Sequence, residues 1–284
     1  MKPIRIVTDS SAHLTRAEIE QFRIEVVPMR LRIGRRMYGE GNEVNTENYL
    51  RRLSGIKSLP ASQPPRLQDF VDVYHRLSKE TDQILSLHLS GKLSETYQIA
   101  RTAAAARRGH TQIAVIDSET ISRGLGMIVR CAAEASAQGA NLSEVSRLVR
   151  GIIPSVFFSF FVEDLAYPER DIRIRKSQST LGSMFRIKPL MEIREGDLVV
   201  MEKVRTHFDV IEKLFTFINE FAYLEEIALL HNNNTQDATL LLERLEVAYP
   251  DLPIFTDTYG PTLATFIGPT ALGVVVREDA HAHL

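Results

Sequence analysis

Five hydroxyl-bearing residues stand where apolar segments give way to polar turns and helices: Thr8, Ser10, Ser62, Ser94 and Ser118. Uncharged hydroxyls beside the free N–H groups of a helix N-terminus suit a carboxylate or a phosphate. In a doubly wound sheet the turns that follow the strands lie on one rim, where ligands usually bind. The set taken together predicts an anion site at that rim, although each hydroxyl taken alone is more often a helix cap.

Two of these turns lie close together in the sequence, and we expect them to act together. Residues 84–89 form an apolar run, and the turn after it leads into an Ala-rich helix predicted over residues 96–108, with Ser94 as its N-cap. Ser62 stands in an earlier Pro-rich turn, residues 60–65, which opens onto a helix predicted over residues 67–79. The two turns predict one site for an anionic head group, with the rest of the chain sheltering its tail.

Most catalytic signatures fail on spacing. Gly91-Lys92-Leu93-Ser94 lacks the upstream glycine of a P-loop, and no His-Glu-x-x-His or Gly-x-Ser-x-Gly occurs. Asp9 and Asp117 follow predicted strands and could serve as a nucleophile or metal ligands, or could cap the turns that follow. A metal-dependent phosphotransferase or phosphoester hydrolase using these two carboxylates therefore stays as the alternative to a binding protein.

Composition restricts the class of protein. Of 284 residues 44% are hydrophobic, and the net charge of −2 gives no footprint for nucleic acid. The single Cys131 excludes an internal disulfide framework. No apolar run is long enough to cross a membrane, and the first residues lack a signal-peptide pattern. We expect a cytoplasmic protein without stable membrane insertion.

The fold class predicted from the pattern is α/β in two domains. Strands alternate with helices through residues 1–152, which predicts a three-layer α/β/α domain with a parallel sheet. After Gly151 the pattern changes to a dense β-type run and a hairpin signal at Glu195-Gly196-Asp197. Residues 153–284 are therefore predicted to form a two-layer α/β domain with a mixed sheet.

Several short blocks, in this order along the chain, together resemble the DegV family of fatty-acid-binding proteins. The blocks are Val7-Thr8-Asp9-Ser10-Ser11, Ser62-Gln63-Pro64, Leu93-Ser94-Glu95-Thr96-Tyr97-Gln98, Ile116-Asp117-Ser118, Ile187-Lys188-Pro189, Lys203-Val204-Arg205-Thr206 and Gly268-Pro269. The resemblance implies that a long-chain fatty acid lies between the two domains without a cofactor or a catalytic residue. It also implies that in bacteria such proteins present the fatty acid to a separate kinase, which makes acyl phosphate.

The resemblance also assigns roles to single residues. Ser94 matches the serine that contacts the carboxylate, and Ser62 supplies the second hydroxyl because Ala61 stands where the family has another. Arg173 matches an arginine that contacts the ligand or the partner, and Arg205 matches the arginine of the Lys-Val-Arg-Thr block.

The chain departs from the family where Phe266 replaces a histidine, which marks it as a divergent member. Candidate walls for the tail are apolar side chains of the second half: Phe157, Phe158, Phe160, Phe161, Met184, Phe185 and Phe266.

Overall fold

The computed structural model describes residues 3–41, 46–53, 60–163, 167–168, 188–232 and 235–280. The strands in this part of the chain are β1 Arg5–Asp9, β2 Glu25–Val27, β3 Arg30–Ile33, β4 Arg36–Gly39, β5 Ala61–Gln63, β6 Gln83–His88, β7 Gln112–Asp117, β8 Val156–Val162, β9 Lys188–Arg194, β10 Asp197–Val204, β11 Leu224–Asn232, β12 Ile254–Asp257 and β13 Ala271–Glu278. The α-helices are α1 Arg16–Phe22, α2 Thr46–Leu53, α3 Leu67–Leu77, α4 Thr96–Ala106, α5 Arg123–Ala137, α6 Leu142–Ile152, α7 His207–Ile218, α8 Thr235–Ala248 and α9 Pro261–Ile267.

The first half is built on a parallel sheet in the order β2-β1-β6-β7. Its two central strands, β1 and β6, are largely buried, as strands covered on both faces must be, whereas the edge strands β2 and β7 are mostly half-buried. Helices α3 and α4 contact the sheet, as do α5 and α6, which also pack against each other. The predicted parallel-sheet domain is confirmed.

The second half is built on a mixed sheet in the order β10-β9-β8-β13-β11-β12. Only the β11–β12 pair is parallel among the pairs described; the others are antiparallel. Helix α7 packs on β8 and β13, helix α8 packs on β11, and α5 of the first half contacts β8 and β13. The predicted α/β arrangement with a mixed sheet is confirmed, and the domain boundary at residue 152 stays a prediction.

A small antiparallel sheet in the order β4-β3-β5 corrects two predictions. The apolar pattern of residues 24–31 predicts one strand, but the strand breaks at Pro28, which has no N–H for a sheet ladder. Its first part is β2 of the parallel sheet and its second part is β3. Ser62 lies not in a turn but in β5, where it pairs with Leu31 of β3.

The largest apolar core joins the two halves and is called the seam below. It holds side chains from the parallel sheet, from α5 and from the mixed sheet, including Leu87, Leu125 and Val275. Because alternate residues of a strand face opposite sides, β8 divides its aromatic residues between two cores. Phe158 and Phe160 lie in the seam, whereas Phe161 and Phe157 pack in the outer core under α7 and α8. Of these four candidate walls, two therefore face the seam; Met184 and Phe185 lie outside the described residues.

Helix α9 is an element that the pattern did not predict. Pro261 stands at its start and Gly260 is its N-cap residue, an arrangement that suits proline because its missing N–H is not needed there. The helix places Thr262, Leu263 and Ile267 in buried positions at the seam. Within the described part of the chain, no helix combines the length and apolarity needed to cross a membrane.

Candidate functional site

Ser62 of the first half meets Thr262 of the second half at the seam. The two hydroxyl oxygens, Ser62 Oγ and Thr262 Oγ1, are 3.5 Å apart although the residues are 200 positions apart in sequence. Strand pairing with β3 positions Ser62, and the first turn of α9 positions Thr262, whose side chain is fully buried. One of the two predicted head-group hydroxyls therefore lies at the contact between the domains.

Glu40 lies directly behind Thr262. Its Oε1 accepts a hydrogen bond from Thr262 N at 2.8 Å, and its Oε2 accepts from Thr262 Oγ1 at 2.7 Å and from Ser10 Oγ at 2.6 Å. Only 4% of Glu40 is exposed. Burial raises the pKa of Glu40, which outweighs the opposing hydrogen bonds from Ser10 and Thr262, and the nearby Asp9 acts in the same direction as burial.

Ser94 is connected to the seam through Thr96. Its Oγ is 2.8 Å from Thr96 Oγ1 and accepts a hydrogen bond from Thr96 N at 3.3 Å. The predicted N-cap is wrong by one residue: Glu95 precedes the first residue of α4 and makes no side-chain capping bond. The Ser94 hydroxyl thus serves the first N–H of the helix and lies in contact with a second hydroxyl.

Met29 connects the two sides. Thr96 Oγ1 lies 3.4 Å from Met29 Sδ, and Met29 N donates to Ser10 Oγ at 2.9 Å. Glu40 N in turn donates to Met29 O at 2.9 Å. A continuous series of contacts therefore runs from Ser94 to Ser62. We call its polar members the seam cluster: Ser10, Glu40, Ser62, Ser94, Thr96 and Thr262.

Two other predicted hydroxyls lie in the parallel-sheet region. Thr8 is fully buried in β1, and its Oγ1 has no hydrogen-bond partner among the described residues. Ser118 is buried after β7, and its Oγ donates to the carbonyl oxygen of Thr120 at 3.2 Å. In the described part of the chain no hydrogen bond joins either residue to the seam cluster, and their roles in binding stay predictions.

The residues predicted to surround the head group are dispersed. Phe266 is half-buried on α9, one turn after Thr262, and packs against the seam, so it gives this position an apolar surface. Arg205 is exposed in the turn between β10 and α7, beside the Thr206 N-cap. Arg173 lies outside the described residues.

Asp9 and Asp117, the carboxylates of the alternative enzyme hypothesis, both accept hydrogen bonds from backbone N–H groups of turns. Asp9 is fully buried; its Oδ2 accepts from Leu89 N at 3.1 Å and lies 3.0 Å from His88 Nδ1. Asp117 accepts from Gly91 N and from Glu119 N, both at 3.0 Å. Among the described residues, no group of three or more His, Cys, Asp and Glu side chains is placed to hold a metal ion.

Comparison with known proteins gives the same answer as the sequence blocks. The family model of DegV proteins matches residues 3–279. The chain belongs to the DegV family. A DegV domain-containing protein of Streptomyces coelicolor is 32% identical over 280 residues, which cover 97% of this chain and 98% of that protein.

Solved DegV structures share the fold over almost the full length. A fatty-acid-binding DegV family protein from Thermus thermophilus superposes with a TM-score of 0.86 at 27% identity, covering 98% of this chain and 100% of that one. DegV of Bacillus subtilis, described as a fatty acid binding protein, gives a TM-score of 0.89 at 25% identity with the same coverage. The predicted family and two-domain fold are confirmed.

Three members of the seam cluster, Glu40, Thr96 and Thr262, were not among the site residues predicted from the sequence. Glu40 follows the β3–β4 hairpin. None of its sequence neighbours indicates that its side chain is buried and accepts a hydrogen bond from a residue 222 positions later. Thr262 could have been predicted, because the preceding Gly260-Pro261 pair is a recognisable helix start.

Proposed function

We propose that this chain is a non-catalytic binding protein for a long-chain fatty acid. The head group is held at Ser62 and Ser94, and the acyl chain lies along the apolar seam between the two domains. The observation that supports the proposal is the series of contacts from Ser94 through Met29 to Thr262 and Ser62, which connects the two half-buried hydroxyls across the contact between the domains. The fatty acid binding described for the Thermus thermophilus and Bacillus subtilis relatives supports it.

The tail and the head group of the ligand contribute differently to binding. A tail of about sixteen carbons gains roughly 0.8 kcal/mol per methylene on leaving water, about 12 kcal/mol before ordering costs. The tail therefore supplies the affinity, and two hydroxyls are enough to orient the head. Of the predicted aromatic walls that the structure describes, Phe158 and Phe160 lie in the seam and Phe266 packs against it.

Transfer to a fatty acid kinase in the cytoplasm is the second part of the proposal. Arg173 and Arg205 are the residues we assign to this step, as a contact to the partner or to its phosphate. Arg205 is exposed and supports such a contact without movement of the core. Phosphoester chemistry at Asp9 and Asp117 is less favoured, because the oxygens of both carboxylates already accept hydrogen bonds from turn N–H groups.

Mass spectrometry of a denatured extract, together with calorimetry on the lipid-free protein, tests the binding. We expect an acyl chain to co-purify with the chain and a saturable heat when a fatty acid is titrated back. An extract without lipid and a titration without heat would contradict the proposal.

A further inference from the structure

Four polar side chains form a row behind the parallel sheet, on the face opposite the seam. Strands β1 and β6 contribute Asp9, Ser86 and His88, and helix α3 contributes Tyr74. None of the four has any exposed surface. Because alternate residues of a strand share a face, the row points into the core under α3, where the Phe70 ring meets the His88 ring edge-on with 5.0 Å between centroids.

Hydrogen bonds join the four side chains into one relay. Tyr74 Oη and Ser86 Oγ are 2.8 Å apart, and Ser86 Oγ is 2.7 Å from His88 Nε2. His88 Nδ1 is in turn 3.0 Å from Asp9 Oδ2. As a carboxylate Asp9 only accepts hydrogen bonds, so His88 Nδ1 carries the proton of this last contact.

The tautomer of His88 sets the direction of the whole relay. With its proton on Nδ1, the neutral imidazole accepts at Nε2. Ser86 therefore donates to His88, and Tyr74 donates to Ser86, so each donor in the row has an acceptor. The same order of hydroxyl, imidazole and carboxylate occurs in hydrolase triads, but Ser86 has no exposed surface from which it could reach a substrate.

Asp9 is the point at which the relay meets two turns of the seam cluster. Its Oδ1 accepts from Ser11 N at 3.1 Å, which holds the turn that begins at Ser10. Its Oδ2 accepts from Leu89 N at 3.1 Å, at the start of the turn that leads to Ser94. One carboxylate thus holds the starts of both turns, and each turn carries a hydroxyl of the seam cluster.

We propose that His88 is a positioning residue for the head group. Its Nδ1–H fixes the orientation of the Asp9 carboxylate, and that carboxylate fixes the turns of Ser10 and Ser94. The ring acts only through Asp9, because it lies on the other side of the sheet from the seam. Without this donor one buried carboxylate oxygen loses a partner, and the two turns lose their common anchor. This inference rests on the proposed function, since it requires the head group to lie at Ser94.

A series of fatty acids that differ only in length separates the head group from the tail. In calorimetry of decanoate, dodecanoate and tetradecanoate on the lipid-free protein, the change of log Kd per methylene reports the tail, and the offset of the line reports the head group. We expect His88→Leu to weaken the binding of all three acids about tenfold without changing the slope. His88→Asn should recover most of this loss, because the Asn amide nitrogen can donate to Asp9 from near the place of Nδ1.

Two further measurements keep the test decisive where His88→Leu does not fold. Ser86→Ala removes the donor to Nε2 and should weaken all three acids about threefold at an unchanged slope, whereas Ser146→Ala, at a buried hydroxyl on α6 outside the relay, should change neither. In the wild type, nitrogen NMR of labelled histidine should show the His88 proton on Nδ1, with His88→Asn assigning the signal. A ring without a proton on Nδ1 overturns the relay.

The outcomes separate this inference from the proposed function. A slope that changes in His88→Leu or Ser86→Ala would show that the relay supports the seam as a whole, and it overturns the positioning role. Wild-type affinity in His88→Leu and in Ser86→Ala overturns the role as well, while fatty acid binding stays intact. Failure of the wild type to bind any of the three acids overturns the proposed function and this inference with it.

Discussion

The hydroxyl of Ser90 donates a hydrogen bond of 2.7 Å to the carbonyl oxygen of Gly196. Ser90 lies in the turn that leads to Ser94, and Gly196 is in the turn between β9 and β10 of the second domain. Lys92 Nζ is also 3.7 Å from Asp197 Oδ2, an exposed pair of small energetic weight. The turn that carries a proposed head-group residue is therefore fixed by the opposite domain.

Gly196→Ala tests this contact. Gly196 has φ +81°, and an added Cβ would lie 2.4 Å from Ser90 Oγ, so both the backbone and the contact are strained. Gly139 has φ +95° and open space around it, so Gly139→Ala isolates the backbone cost of about 1–2 kcal/mol. We expect Gly196→Ala to lower the free energy of unfolding in urea by about 1–3 kcal/mol more than Gly139→Ala does. Equal losses in the two variants would show that the contact with Ser90 contributes nothing.

Asp9→Asn distinguishes a structural role from a catalytic one. Asp9 accepts hydrogen bonds from Leu89 N and Ser11 N and is paired with His88, all of them buried. The Asn amide group cannot accept all of these bonds, so we expect the free energy of unfolding in urea to fall by about 2–4 kcal/mol. Asp72→Asn, at an exposed position on α3, should have a free energy of unfolding within about 0.5 kcal/mol of the wild type. A stable Asp9→Asn protein that loses phosphoester turnover would instead favour the enzyme.

The stability of the free protein should depend on pH through Glu40. Burial raises its folded-state pKa above the ordinary 4.5, so unfolding releases a proton between those two values. Relative to Glu40→Gln, the wild type should therefore lose stability as the pH rises from about 4.5 through the folded-state pKa. Urea unfolding from pH 4 to pH 9 measures the difference, with Glu47→Gln expected to follow the wild type. A wild-type curve parallel to that of Glu40→Gln would show that Glu40 ionises normally.

Ser62→Ala and Ser94→Ala should each weaken fatty acid binding. Loss of one hydrogen bond to the head group costs about 1 kcal/mol, which is about fivefold in Kd. Ser143→Ala removes an exposed hydroxyl on α6 and should leave the affinity unchanged. Calorimetry at one pH compares the affinities of the three variants. Wild-type affinity in both Ser62→Ala and Ser94→Ala would show that the head group binds elsewhere.

The sequence predicted the parallel and the mixed sheet well because their signals are local. The apolar run of β6 and the aromatic run of β8 carry their burial in their own residues, and the Glu195-Gly196-Asp197 turn gives the hairpin between β9 and β10. The turn pattern placed Ser62 and Ser94 among five candidate hydroxyls, and the DegV blocks then assigned these two to the carboxylate.

What the sequence did not predict depends on partners that are distant along the chain. Ser62 became a strand residue because β3, freed by the break at Pro28, was available to pair with it. Glu40 is buried because Thr262 and Ser10 donate to it, and neither is its neighbour in sequence. Such positions are found only once the topology is known.

A crystal structure with dodecanoic acid bound at pH 6 tests the central claim most directly. We expect the acyl chain in the seam and a carboxyl oxygen within about 2.7–3.2 Å of both Ser62 Oγ and Ser94 Oγ. A ligand seated outside the seam, or a head group that contacts neither serine, would contradict the account.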